Sequence, residues 1–132
     1  MKKCLVVDDS EVVREISVRI VEALGLSAKQ APNAAEAVDC IREWQPEVVL
    51  LDWDLPSMGA LDFLRGVGEL PEADRPEIVL CATENDAQQF TLAKAAGAGH
   101  HILKPFTQDI IAVKFAELGL CEAPSFSASS AG

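Results

Sequence analysis

Five times along the chain, a short segment that reads as a strand gives way to apolar residues at helical spacing. Few folds accommodate that alternation. Its strongest run is Val48 to Leu51, which delivers Asp52 to its carboxyl end and breaks on Pro56 after Trp53-Asp54-Leu55. A continuous apolar run bounded this way is the pattern of a strand buried on both faces of a parallel sheet. Cys4-Leu5-Val6-Val7 is a second such run, and it too ends in acid, the pair Asp8-Asp9. Ser27 to Ala31 makes a weaker strand, Ile78 to Ala82 a fourth and His100 to Leu103 a brief fifth.

The intervening segments read as helices with their own punctuation. Ser10 is a candidate N-cap for a helix carrying Val13, Ile16, Ile20 and Leu24, stopped by Gly25. Asn33 followed by Glu36 resembles a capping box, ahead of the stripe Ala37, Ile41 and Trp44 and a stop before Pro46. Leu61, Leu64 and Val67 give the apolar face of a third helix, and Gly66 to Pro76 reads as a loop. Asn85 is placed to cap a fourth helix containing Gln89, Leu92 and Ala93 and closed by Gly97, the thinnest in apolar content. Thr107 caps the last, with Ile111, Phe115 and Leu118 on one face and Gly119 as terminator. Residues 1–121 are therefore expected to form one domain, and the Ser-, Ala- and Pro-rich stretch 122–132 a disordered tail.

Right-handed crossovers between successive strands force a doubly wound five-stranded parallel α/β sheet, for which the flavodoxin-like order 2-1-3-4-5 fits the length. In that order strands one and three are neighbours at the switch point, where ligands bind beyond the strand carboxyl ends. Asp8, Asp9 and Asp52 are expected to converge there.

With 132 residues and a formal net charge of -10, the chain suits one domain whose partners are proteins or cations. No cluster of Lys and Arg offers phosphate contacts, which argues against nucleic acid and anionic membrane. Cysteines 4, 40, 81 and 121 form no C-x-x-C pair, so neither a zinc site nor a redox motif is signalled. The basic start Met1-Lys2-Lys3 precedes an apolar run too short for a signal peptide, and no stretch approaches the ~20 apolar residues of a membrane span. A cytoplasmic protein with reduced thiols is expected.

Two unit charges about 4 Å apart repel by roughly 4 kcal/mol at an effective dielectric near 20. Three converging carboxylates therefore need one of their number protonated or a cation bound. Oxygen donors without His or Cys favour Mg²⁺, which keeps waters and takes a phosphate oxygen alongside one or two carboxylates. Such an ion beside a carboxylate nucleophile makes a phosphoryl-transfer site. Thr83 and Lys104, each at a strand's carboxyl end, are candidates to hold the phosphoryl oxygens, and Lys104-Pro105 is a candidate cis peptide.

Asp8-Asp9, Asp52, Thr83 and Lys104-Pro105, each after its own strand, together resemble the signature of the response-regulator receiver domain over residues 2 to about 120. Within that CheY-like fold, Asp52-Trp53-Asp54-Leu55-Pro56-Ser57-Met58, Cys81-Ala82-Thr83-Glu84-Asn85-Asp86 and Lys104-Pro105-Phe106 look closest to stand-alone chemotaxis-type regulators of alphaproteobacteria. The resemblance implies that Asp52 accepts a phosphoryl group from a histidine kinase or phosphotransfer protein. It implies Mg²⁺ held by Asp9, Asp52 and the backbone carbonyl of Asp54, with Asp8 acting through water. Lys104 would neutralise one phosphoryl oxygen and Thr83 would move to bond another. The output would be a changed face of the fourth helix, fifth strand and fifth helix toward a downstream protein: a motor, a kinase or another effector. The chain would be a switch rather than an enzyme, catalysing only its own phosphorylation and dephosphorylation.

Three positions depart from the family pattern. Glu84 stands where a small residue usually leaves the phosphoryl approach open, and is expected to slow phosphorylation without abolishing it. His101 replaces the Tyr or Phe that reports the switch, which sets a pH-sensitive output against the plainer reading of a tolerated polar ring. Gly59 comes one residue earlier than the usual glycine. Other readings compete. A pseudo-receiver would signal by protein binding alone; a haloacid-dehalogenase-type phosphatase would use Asp52-Trp53-Asp54 as its D-x-D pair; a cyclic di-GMP effector would need arginine-rich segments, and the arginines are scattered.

Overall fold

The computed structural model describes residues 2–55, 59–83, 87–104 and 107–121. The strands β1 (Lys3–Val7), β2 (Ser27–Ala31), β3 (Val48–Asp52), β4 (Glu77–Ala82) and β5 (His100–Leu103) all pair in parallel, in the order β2-β1-β3-β4-β5. The helices α1 (Glu11–Ala23), α2 (Ala34–Trp44), α3 (Gly59–Gly68) and α4 (Ala87–Ala95) make the crossovers, and α5 (Gln108–Glu117) follows β5. The expected doubly wound fold is the one observed.

Strand alternation sorts the core into two layers. Val49 and Leu51 of β3 pack with Leu5, Leu80 and residues of α2 and α3, including Ile41 and Phe63. Val48 and Leu50 face the other way, with Cys4, Val79, Val21 of α1 and Phe115 of α5. Every residue of β3 is buried, and each apolar one contributes about 1.5 to 3 kcal/mol. That burial explains why this run was the clearest in the sequence.

Register then places the chemistry. Val7 pairs with Leu51, so the residues that follow them, Asp8 and Asp52, lie side by side at the carboxyl edge of the sheet. Ala82 pairs with Leu103, which brings Thr83 and Lys104 to the same edge.

The expected caps form. Ser10 Oγ accepts the Val13 N–H at 3.3 Å, Asn33 Oδ1 the Glu36 N–H at 2.9 Å, and Thr107 Oγ1 the Ile110 N–H at 3.3 Å. The return arm of the capping box differs from expectation: Glu36 Oε2 accepts from the Asn33 side-chain amide at 2.6 Å. The α2 helix closes on Gln45 at φ 52, a left-handed position costing a residue with a Cβ about 1 kcal/mol, because Pro46 forbids another turn.

Three helical details correct the sequence reading. In α1 the buried residues are Ser17 and Val21, whereas Ile16 is 49% exposed. In α3 the buried face is Ala60, Phe63, Leu64 and Val67, with Leu61 only half-buried. Apolar periodicity locates a stripe but not its rotation when small residues such as Ser17 and Ala60 provide the closest approach. The stretch from Gly66 to Pro76 is not all loop: α3 continues to Gly68, and Glu72–Asp74 forms a 3₁₀ turn. Asn85 as a cap, the turn through Met58 and the tail 122–132 lie outside the described residues. No described helix is long and apolar enough to cross a membrane.

Candidate functional site

Asp8 and Asp52, on the residues that follow or end β1 and β3, are both buried, and Asp9 beside them is exposed. One carboxylate oxygen from each of the three lies within 4.8 Å of the others, so the acids converge as expected. Lys104 reaches in from the end of β5. Its Nζ donates to Asp8 Oδ2 at 2.9 Å and to Asp52 Oδ1 at 2.9 Å. The lysine is aimed by its own backbone, whose N–H donates to Ala82 O at 2.7 Å and extends the β4–β5 ladder past Leu103.

Backbone donors complete the acid shell. Ser10 N–H donates to Asp8 Oδ1 at 2.9 Å, and Asp54 N–H donates to Asp52 Oδ1 at 3.0 Å. Asp52 Oδ1 thus receives two donors, and Oδ2 faces none among the described residues. Burial pushes the Asp52 carboxyl above its ordinary range, against the opposing pull of Lys104 and the Asp54 N–H. Burial also disfavours the charged Lys104, but its hydrogen bonds to Asp8 and Asp52 outweigh that and hold it above the usual lysine range. One ammonium among three carboxylates leaves an excess of negative charge in a partly dry pocket. That donor set, all carboxylate oxygen, fits a small hard divalent cation such as Mg²⁺.

Asp54 and Thr83 are exposed and outside the trio; Thr83 Oγ1 donates to Asp54 Oδ2 at 3.2 Å. His101 is exposed on β5 and stacks on Phe90 of α4, with ring centroids 4.1 Å apart and planes 20° from parallel. Glu84 and Pro105, hence the expected cis bond, lie outside the described residues. Gly59 begins α3, where a Cβ would stand 3.1 Å from Leu55 Cβ, so a larger residue would crowd the loop leaving Asp54.

Two participants were not singled out in the sequence. Arg14 donates from Nη1 to the Asp8 carbonyl at 2.8 Å and from Nε to Gln30 at 2.8 Å, pinning the turn between β1 and α1. Gln89 Oε1 accepts from the Trp53 indole N–H at 2.7 Å, tying α4 to the residue after Asp52. The first full turn of a helix that follows an acidic strand end is where a residue like Arg14 can fold back. Nothing in the sequence pairs positions 53 and 89.

The response regulator receiver domain family matches residues 4–115. The chemotaxis protein CheY of Halobacterium salinarum is 33% identical over 106 residues, covering 80% of this chain and 86% of that one. CheY1 of Helicobacter pylori is 31% identical over 116 residues, covering 85% and 92%. The structure of the chemotaxis response regulator CheY4 of Vibrio cholerae superposes with a TM-score of 0.82 at 24% identity, over 89% of this chain and 98% of that one. A chain of the co-crystal of the Saccharomyces cerevisiae phosphotransfer protein Ypd1 with the receiver domain of Ssk1 matches with a TM-score of 0.81 at 20% identity, over 93% and 92%. Those last two likenesses establish the fold, and the family match over most of the length establishes the kinship: this chain belongs to the response regulator receiver domain family.

Proposed function

We propose that residues 1–121 act as a single phosphoryl-accepting switch of a two-component phosphorelay, with Asp52 as acceptor. The observation that carries this reading is the placement of the Lys104 ammonium 2.9 Å from both Asp8 and Asp52, at the edge where a third acid, Asp9, converges. Asp52 Oδ2, the oxygen without a donor among the described residues, is the nucleophile. Its lone pair forms the new O–P bond as the N–P bond of a phosphohistidine breaks, and the imidazole leaves with the bonding electrons. Lys104 then neutralises a phosphoryl oxygen, and the Thr83 hydroxyl bonds another.

Asp9, Asp52 and the Asp54 carbonyl would hold Mg²⁺, with Asp8 acting through water. When bound, the ion neutralises charge on the acids and on the incoming phosphoryl group. Everything else is positioning by the chain. Register sets Asp52 beside Asp8, Ser10 and Asp54 fix the carboxylates with their N–H groups, and Lys104 waits already charged.

The donor is a histidine kinase or phosphotransfer protein. The output is a changed affinity for a downstream protein, a motor, a kinase or another effector, through α4, β5 and α5, with Glu84 and His101 modulating the switch. The loop and strand-end sequences resemble those of chemotaxis-type regulators of alphaproteobacteria, and that resemblance supports a cytoplasmic switch. The test is intact-mass detection of one added phosphoryl group after incubation with acetyl phosphate and Mg²⁺. Equal labelling of Asp52→Asn sinks the assignment of Asp52. Failure of the wild type to bind any phosphoryl mimic with Mg²⁺ leaves the pseudo-receiver reading, in which the fold signals by protein binding alone.

A further inference from the structure

We propose that Asp54 is a positioning residue: in the resting protein its carboxylate holds the Thr83 hydroxyl away from Asp52, and phosphoryl capture requires that hydroxyl to change partner. This rests on the reading of Asp52 as the acceptor and deepens it. Thr83 Oγ1 donates to Asp54 Oδ2 at 3.2 Å. A threonine hydroxyl has one hydrogen to give, so it cannot donate at the same time to Asp54 and to a phosphoryl oxygen on Asp52.

The competition is built into the backbone. Asp54 N–H donates to Asp52 Oδ1 at 3.0 Å, which folds the chain tightly after β3 and keeps the Asp54 side chain next to the acceptor. Trp53 secures the same turn from both sides. Its N–H donates to Cys81 O at 2.9 Å, two residues before Thr83, and its indole N–H donates to Gln89 Oε1 at 2.7 Å. The carboxylate of Asp54 is therefore a fixed neighbour of Thr83, and a charged acceptor binds a hydroxyl more strongly than a neutral one. Both side chains are exposed, so water weakens the bond and the hold is modest and reversible. It sets a threshold that a phosphoryl group with its own negative charge can overcome.

The experiment is calorimetric titration of the full chain with beryllofluoride in saturating Mg²⁺, for wild type, Asp54→Ala, Thr83→Ala and the double variant. Removing the competing acceptor should tighten wild-type binding about three- to tenfold. In the Thr83→Ala background the same change should alter affinity by under about twofold, because there is no hydroxyl to release. Simple repulsion between Asp54 and the anion would survive the loss of Thr83, so equal gains in both backgrounds overturn the proposal, as does unchanged or weaker binding by Asp54→Ala alone. Asp54→Asn, which removes the charge but keeps an acceptor oxygen, should fall between wild type and Asp54→Ala. No binding by the wild type overturns the acceptor reading and this inference with it, a result distinct from binding without coupling.

Discussion

Asp52→Asn should stabilise the metal-free protein. The ionised carboxylate has a ligand oxygen within 4.8 Å of those of both Asp8 and Asp9, and it lies 2.9 Å from Lys104 Nζ. At an effective dielectric near 20, buried Asp8 repels it by about 3.5 kcal/mol and the ammonium attracts it by about 6 kcal/mol, while water screens the exposed Asp9. The ammonium offsets that repulsion, and what disfavours the charged carboxylate is burial, the largest reason its pKa lies above the ordinary range despite Lys104 and the Asp54 N–H. Asparagine is nearly isosteric and keeps an oxygen for the Asp54 N–H and for Lys104. Urea unfolding in EDTA, followed by circular dichroism, should therefore show a higher midpoint at unchanged slope, on the order of the 1 kcal/mol usual for a single substitution. In Mg²⁺ the wild type should gain stability, by linkage to a ligand that binds only the folded site, and Asp52→Asn should gain less. A lower midpoint for Asp52→Asn in EDTA would refute the reasoning. The Lys104 ion pair would then outweigh the cost of burial, and the site would need no cation to balance it.

Other outcomes follow from the packing and the thiols. Gly66→Ala should destabilise by about 1 to 3 kcal/mol in chemical denaturation, because the added Cβ would lie 2.9 Å from Val38 Cγ2 where α3 meets α2; a neutral result would mean that the helices part freely there. Burial raises the Cys4 thiol and pushes the Cys81 thiol up to about 12, so iodoacetamide at pH 8 should label them only in urea, while half-buried Cys40, whose thiol burial also raises, reacts in the native protein but more slowly than in urea. The same raised values mean that these thiols leave stability intact below pH 9.0, where they are neutral in both states, and draw it down as pH rises from there toward 12, where only the unfolded chain ionises freely; a flat stability profile over that range would count against it. Native-state hydrogen exchange should find α4 less protected than α2 or α3, since Ala93 is its single buried residue; equal protection would show that its polar contacts anchor it fully.

Legibility in the sequence followed burial. Val48 to Leu51 was readable because a strand covered on both faces must be apolar at every position, and Cys4 to Val7 for the same reason. Once those two runs were parallel neighbours, the convergence of Asp8, Asp9 and Asp52 was a matter of register. The caps at Ser10, Asn33 and Thr107 were readable because they satisfy donors within their own turn. What the sequence hid were facts that depend on rotation or on distance along the chain. Ser17 replaces Ile16 at the buried face of α1 because the helix lies closest to the sheet where its side chain is small. The bonds Trp53 to Gln89 and Arg14 to the Asp8 carbonyl join side chains whose types carry no signal of their partner. The roles of Thr83 and Lys104 differ in the same way: Lys104 lies where its strand delivers it, whereas Thr83 rests on Asp54.

These contacts bear on how an event at Asp52 can be felt elsewhere. The helices α2 and α3 are locked by close approach, with no room for a methyl group between Gly66 and Val38. The α4 helix is held differently. On one side Gln89 takes the indole N–H of Trp53, the residue next to Asp52. On the other, Phe90 stacks on His101, three residues before Lys104 on β5. Hydrogen bonds and a single ring contact cost about 1 kcal/mol each to rearrange, against several for a buried aromatic such as Phe63. Beside the packing of Ala93 and Phe90 on the core, these two contacts lead back to residues flanking the acid cluster. A change in charge at Asp52 would therefore pull first on the element that resists least, and the route from Asp52 to the α4 and β5 surface is short because the sheet register has placed its two ends at the same edge.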